Sequence, residues 1–430
     1  MRVVKSRLII DGTGSEPIRN GAIVIDNDKI SQVGTEERVS VPRDAEIIDL
    51  KDQVILPGLI DPHRHLKAMD QRPFHEKVND PDAYKALWAA RVVREELRRG
   101  TTTMRLLGHR GWWIFDFRKA VEDDVIAAPR LLNAGQALRP SHGHSNYEDP
   151  INGVDAIRRL IRENYSRGAD CTKIFITGGI SSPELPKNAS YFSKEEIETA
   201  IEETHRVGLK ITAHCYGGIG GKWFIEAGGD SIEHGSMLTD DLMDLMARKG
   251  TYLGLTMWTI DWSSVKSYYG TERTRDYVGV DKSRDWLETD KAVQATLREV
   301  KRRGLERPPY QETIKKVVKK GVKYTTHGDA QFGAIPWNLT TLVKTCGVSP
   351  MQAILANTRN AAECCGVLDR IGTLEPGKFA DMISVKGNPL EDITNIQKTG
   401  IVMVGGRIYD PVTGYWKSFE PIEQLRCFSY

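Results

Sequence analysis

The chain has 430 residues, 40% of them apolar, with 60 basic side chains against 58 acidic ones. This is enough for one large domain with a small one beside it, and the near-even charge gives no electrostatic footprint for a nucleic-acid partner. No run of about eighteen apolar residues is present to span a membrane. "MRVVKSRLIIDGTG" lacks the apolar core and cleavage site of a signal peptide, and six cysteines without a CxxC pair fit reduced thiols in the cytoplasm.

The first 57 residues read as short strands. "RVVKSRLII", "GAIVIDNDKISQVG" and "AEIIDLKDQVILPG" are β-rich and divided by Gly, Asn, Asp and Pro. From residue 58 to 365 the style changes, and apolar runs alternate with amphipathic helices. The runs are "LIDPHRH", "TTTMRLLG", "RLLNAGQAL", "CTKIFITGG", "LKITAHC", "DSIEHG", "TYLGLTM" and "VKYTTHGDA". Continuous apolar character suits parallel strands buried on both faces. Ser193 with Glu196 predicts a capped helix that stops at Gly208, and Ser349-Pro350 starts another. Eight strand–helix units predict a (β/α)8 TIM barrel. Residues 366–430 return to strands in "KFADMISVKG" and "TGIVMVGGRIYD". Both chain ends are therefore expected to build one small β-sandwich domain.

One connection stands out. Residues 258–321, about 64 in all, separate the seventh run from the eighth. A connecting helix needs far fewer, so an insertion over the barrel mouth is expected, as a lid or a dimer contact. The run "KKVVKK" (315–320) has the spacing of a solvated helix face. The aromatic tail "YWKSFEPIEQLRCFSY" is expected to dock on the barrel or a neighbouring subunit, and a homo-oligomer is expected.

Active sites of such barrels lie at the C-terminal ends of the strands. His63 and His65 end the first run, Lys173 lies on the fourth, and His214, His234 and Asp329 end the fifth, sixth and eighth. Residues i and i+2 of a strand point the same way, so His63 and His65 can grip one ion together. Neutral imidazoles and a carboxylate suit zinc. A lone HxH is more often a pair of packed histidines; recurrence at the same end of other strands argues against that reading. Arg64 should point away from such a site. "LRPSHGHSNY" places Arg139, His142 and His144 in a loop at the mouth, where a substrate carboxylate would need a donor. Tyr216 is placed to donate to an oxyanion, and His109 follows the second strand. His205 reads as a core or surface residue, and His75 has no clear partner. Trp112, Trp113 and Trp337 suggest aromatic surface at the mouth and a bulky or aromatic substrate; ordinary packing is the alternative.

"ILPGLIDPHRH", "TKIFITGG", "ITAHCYGG", "SIEHG", "GDA" and "ILANTRNAAECCGVLDRIGTLEPGKFADMISV" together resemble the metal-dependent amidohydrolase superfamily over nearly the whole chain. Within it the chain looks most like prolidase-like dipeptidases and hydrolases of N-acyl amino acids, ochratoxin hydrolases among them. The resemblance implies two divalent metal ions, most readily Zn2+, and a carbamate on Lys173 that joins them. It implies His63, His65 and Asp329 on one ion and His214 and His234 on the other. A hydroxide shared by the ions would attack an amide carbonyl, with Asp329 moving the proton to the leaving amine. It favours His144 first among the loop residues. Cyclic amide or imide hydrolysis, as in hydantoinases, is the alternative chemistry. A non-catalytic assembly barrel is the third reading, and it would be expected to have lost these ligands.

Overall fold

The computed structural model describes residues 1–66, 79–145, 149–179, 186–257, 310–329 and 333–417. Strands β1 (Arg2–Ile9), β2 (Ile18–Asp26) and β3 (Lys29–Thr35) form an antiparallel meander. β4 (Glu46–Asp49) and β5 (Gln53–Pro57) both run parallel to β1. The chain then passes Gly58 into the barrel. A side chain at Gly58 would meet Thr102 Oγ1 at 2.0 Å, so the junction admits only glycine at this approach.

Eight parallel barrel strands follow: β6 (Leu59–Arg64), β7 (Thr101–Leu106), β8 (Arg130–Asn133), β9 (Cys171–Phe175), β10 (Lys210–Gly217), β11 (Ser231–Met237), β12 (Tyr252–Leu255) and β13 (Tyr324–Thr326). Every predicted run supplies one. They pair as two sheets, β6-β7-β8 and β9 through β13. Two bridges close the circle, Leu138 with Ile174 and Arg64 with Asp329. At the opposite end Asn357 clasps the same seam, donating to Ile60 O at 2.9 Å and Thr326 O at 2.6 Å.

The barrel's helices are α1 (Asp82–Arg98), α2 (Trp113–Glu122), α3 (Val154–Ser166), α4 (Lys194–Arg206), α5 (Gly218–Glu226), α6 (Asp240–Lys249), α7 (Tyr310–Lys319) and α8 (Ala334–Cys346), followed by α9 (Pro350–Ala356) and α10 (Arg359–Cys364). Ser193 and Glu196 form the expected reciprocal cap on α4, and Ser349 with Gln352 caps α9 with Pro350 at its start. Helix α7 takes up the end of the expected insertion. It buries Ile314 and Val317 and leaves Lys315, Lys316 and Lys319 exposed, the solvated face read from "KKVVKK". Residues 258–309 of the insertion, and the tail beyond Lys417, lie outside the described residues.

The chain finally returns to the first sheet. β14 (Met382–Lys386) pairs antiparallel with β5, and β15 (Thr399–Val404), β16 (Arg407–Asp410) and β17 (Tyr415–Trp416) extend it outward. Both ends of the chain thus share one nine-stranded sheet. Val4, Ile23, Ile55, Met382 and Met403 fill its core. Arg130 of β8 ties it to the barrel through two bonds to Asp381, at 2.6 and 3.1 Å. Among the described residues no helix is long and apolar enough to cross a membrane.

Candidate metal centre

The bridge that closes the barrel also assembles three donor groups. His65 N–H donates to Asp329 O at 2.8 Å and Asp329 N–H to His63 O at 2.9 Å. The side chains meet above this pairing. The Nε2 atoms of His63 and His65 lie 3.2 Å apart, and Asp329 Oδ1 is 3.9 Å from the first and 3.5 Å from the second. Asp329 holds φ at +53°, a left-handed conformation that a non-glycine residue adopts at a cost.

His214 of β10 and His234 of β11 face this group from across the mouth. Their ring centres are 4.6 Å apart, and His234 lies 5.4 Å from His63. His234 also has a left-handed backbone, with φ +76°. Its Nδ1 is 2.6 Å from Thr256 Oγ1. Lys173 of β9 is wholly buried, and its Nζ has no hydrogen-bond partner among the described residues. Burial brings its pKa down to about 8, with Glu233 and Asp329 pulling the other way. Burial first, then the neighbouring cationic groups, pushes His63, His144 and His234 well below the usual imidazole range.

The donors therefore present neutral imidazole nitrogens and a carboxylate, with a buried amine that has no hydrogen-bond partner among the described residues. This set fits divalent ions of the zinc type, which take neutral His and ionised carboxylate.

Two buried residues join the cluster without having been singled out from the sequence. Glu233 Oε2 lies 3.3 Å from His63 Nδ1 and 3.5 Å from His327 Nε2, and these three groups form a second set close enough to share an ion. His327 could have been found, because it stands two residues before Asp329, the spacing that put His63 and His65 together. Glu233 could not be found that way. It is the immediate neighbour of His234, and ordinary alternation sends neighbours to opposite faces; the left-handed turn at His234 lets both face inward.

Of the predicted mouth residues, His144 stacks on His214 with centres 4.2 Å apart. It lies so close to Gly179 that a side chain there would meet its ring at 2.1 Å. Tyr216 is 5.0 Å from His214 and 5.7 Å from His234, ring to ring. His109 sits 6.1 Å from His65, and its Nε2 accepts the Leu66 N–H at 3.0 Å. Arg139 is buried, with one guanidinium nitrogen 3.5 Å from Ser141 O. His142 is exposed and packs on Tyr191, ring centres 5.3 Å apart. His205 is a surface residue bonded to Asp230 at 2.8 Å, while His75 lies outside the described residues.

The tryptophans depart from the expectation of a common aromatic mouth. Trp337 is in helix α8, half-buried against the main core, because the segment after Gly333 starts a helix rather than a loop. Trp112 carries the Arg167 guanidinium on its ring at 4.0 Å. Trp113 alone reaches the site's edge, 5.5 Å from His109. Arg64 points away from the histidines and pairs with Glu96 of α1 at 3.1 Å, both fully buried.

Residues 54–409 match the Amidohydrolase family. The chain belongs to this family. Ochratoxinase from Aspergillus niger is 28% identical over 451 aligned residues, which cover 96% of this chain and 88% of the relative. A crystal structure of a Xaa-Pro dipeptidase with methionine in its active site superposes with a TM-score of 0.78 at 28% identity, covering 95% of this chain and 99% of that one. Imidazolonepropionase from Geobacillus kaustophilus is 24% identical, with 85% and 84% of the two chains covered. The protein is a hydrolase acting on amide bonds, built as a barrel with an additional β-domain.

Proposed function

We propose that this amidohydrolase is a binuclear enzyme that cleaves the amide bond of an N-acyl amino acid or a dipeptide-like substrate, prolidase-like or with an aromatic, ochratoxin-like acyl group. One observation carries the reading: His63, His65 and Asp329 converge with His214 and His234 beside a buried lysine amine that has no hydrogen-bond partner among the described residues. The names of the relatives, an ochratoxinase and a Xaa-Pro dipeptidase, support the substrate class.

Two divalent ions, zinc for preference, held by His63, His65 and Asp329 on one side and by His214 and His234 on the other, would supply a polarised carbonyl and a water acidic enough to attack it. Lys173, its pKa brought down to about 8, presents a share of neutral amine near neutral pH. That amine takes up CO2 as a carbamate with release of one proton, and so gains the acceptor oxygens its site needs. Asp329 accepts the proton of the attacking water and returns it to the nitrogen of the leaving amine. Tyr216 donates its O–H to the carbonyl oxygen as charge develops there. His144, kept neutral by burial, offers a ring N–H to the substrate, with Arg139, His142 and His109 as the further substrate-side groups. The catalytic barrel of this reading is residues 58–365, carried by a β-domain of residues 1–57 and 366–430.

The test is turnover by metal-reconstituted enzyme on acyl-prolines, aromatic N-acyl amino acids and hydantoins. Hydrolysis of an open-chain acyl-amino acid is expected. Hydrolysis of the hydantoins alone would replace it with cyclic-amide hydrolysis, the reading that the imidazolonepropionase match favours. Absence of bound metal, with no activity after reconstitution, would favour a non-catalytic barrel.

A further inference from the structure

Beneath the mouth of the barrel lies a buried carboxylate for which hydrolysis as proposed has no direct use. Glu233 is on β11, and its two oxygens face different groups. Oε1 accepts from Arg105 at 3.0 Å and from Thr212 Oγ1 at 2.5 Å, with Ser231 Oγ at 3.3 Å. Oε2 is turned to His63 Nδ1 at 3.3 Å and His327 Nε2 at 3.5 Å, facing both rings as a charge and outside hydrogen-bond geometry. The neighbouring strand makes room for this. A side chain at Gly254 would sit 2.0 Å from Oε2, although the backbone there is ordinary for any residue. Arg105 is itself anchored by its bond to Pro62 O at 2.6 Å, one residue before His63.

We infer that Glu233 is a positioning residue of the metal centre, holding His63 as the tautomer whose Nε2 lone pair faces His65 and Asp329. A carboxylate beside a charged arginine keeps its negative charge, and that charge 3.3 Å away favours the proton on the imidazole nitrogen facing it. The other nitrogen is then left unprotonated and aimed at the donors it must join. Carboxylates that hold a ligating histidine this way set both its orientation and its basicity. The inference rests on the proposal that His63 holds metal.

The experiment is zinc affinity by chelator competition, with zinc stoichiometry and metal-free thermal unfolding, on wild type, His63→Ala, Glu233→Ala, Glu233→Gln and Gly254→Ala. Glu233→Ala should bind zinc about 10- to 100-fold more weakly. Glu233→Gln should recover part of the loss, because its carbonyl oxygen can still turn a partial negative charge to Nδ1. Gly254→Ala should also weaken zinc, since it pushes the carboxylate aside while changing no ligand and no charge. Wild-type affinity in a folded Glu233→Ala overturns the inference. If that variant fails to fold, wild-type affinity in both Glu233→Gln and Gly254→Ala overturns it. Loss of one whole zinc equivalent in Glu233→Gln, the remainder binding normally, would make Glu233 a ligand with His63 and His327 instead. Equal binding by His63→Ala and wild type would show that the metal-centre reading itself has failed, and the inference would fall with it.

Discussion

Arg105 and Lys173 are both fully buried inside the barrel, on β7 and β9, yet only Arg105 is paired. Arg105 has Glu233 at 3.0 Å and Pro62 O at 2.6 Å. Lys173 Nζ has no hydrogen-bond partner among the described residues, and its pKa falls to about 8. Arginine stays charged wherever it is placed, so a buried one must be given a carboxylate. Lysine can give up its proton, so a buried one can be left open for chemistry. The same interior thus contains a completed charge pair and a buried amine without a hydrogen-bond partner among the described residues.

Three substitutions probe this difference, from the largest expected effect to the smallest. Asp329→Asn should keep fold and metal but lose turnover by about 10²- to 10⁴-fold, the usual share of a general base. Steady-state kinetics check it, and wild-type-like activity would remove the proton-transfer role. Arg105→Met should destabilise the protein by about 3–5 kcal/mol, because Glu233 is left buried without its cation; denaturant unfolding measures this.

Lys173→Met should have the opposite sign in metal-free, CO2-free protein. The folded pKa of Lys173 is about 8, against 10.5 for an ordinary lysine. Below pH 8 both the folded and the unfolded chain bind the proton, and the cost of burying it is fully present. Between these values the unfolded state binds more protons, so wild-type stability rises with pH across that window. The variant should be about 3 kcal/mol more stable than wild type below pH 8, with the gap closing towards the upper end. Unfolding midpoints at several pH values would show it. A variant less stable than wild type at pH 7 would mean that Lys173 is paired after all.

Much of the architecture was legible because buried parallel strands leave continuous apolar runs, and all eight could be read. The ligand candidates were legible for the same reason: His63 and His65 share a face by alternation, and the others end strands. Arg64 pointing away follows from the same rule. What could not be read depends on departures from that rule. The left-handed residue at His234 lets its imidazole share the interior with Glu233, and nothing in "SIEHG" marks that turn. The choice of loop or helix after Gly333 decided the place of Trp337. His109 also accepts the Leu66 N–H at its Nε2, a contact between residues 43 positions apart that no local pattern reveals.

Two ions sharing this mouth and joined through Lys173 are what the proposed hydrolysis needs. Metal content per chain, measured in wild type and in Lys173→Ala, tests it most directly. Two equivalents are expected in wild type, fewer in the variant, and partial recovery when a short carboxylic acid is added to stand in for the carbamate. Unchanged stoichiometry in Lys173→Ala would contradict it.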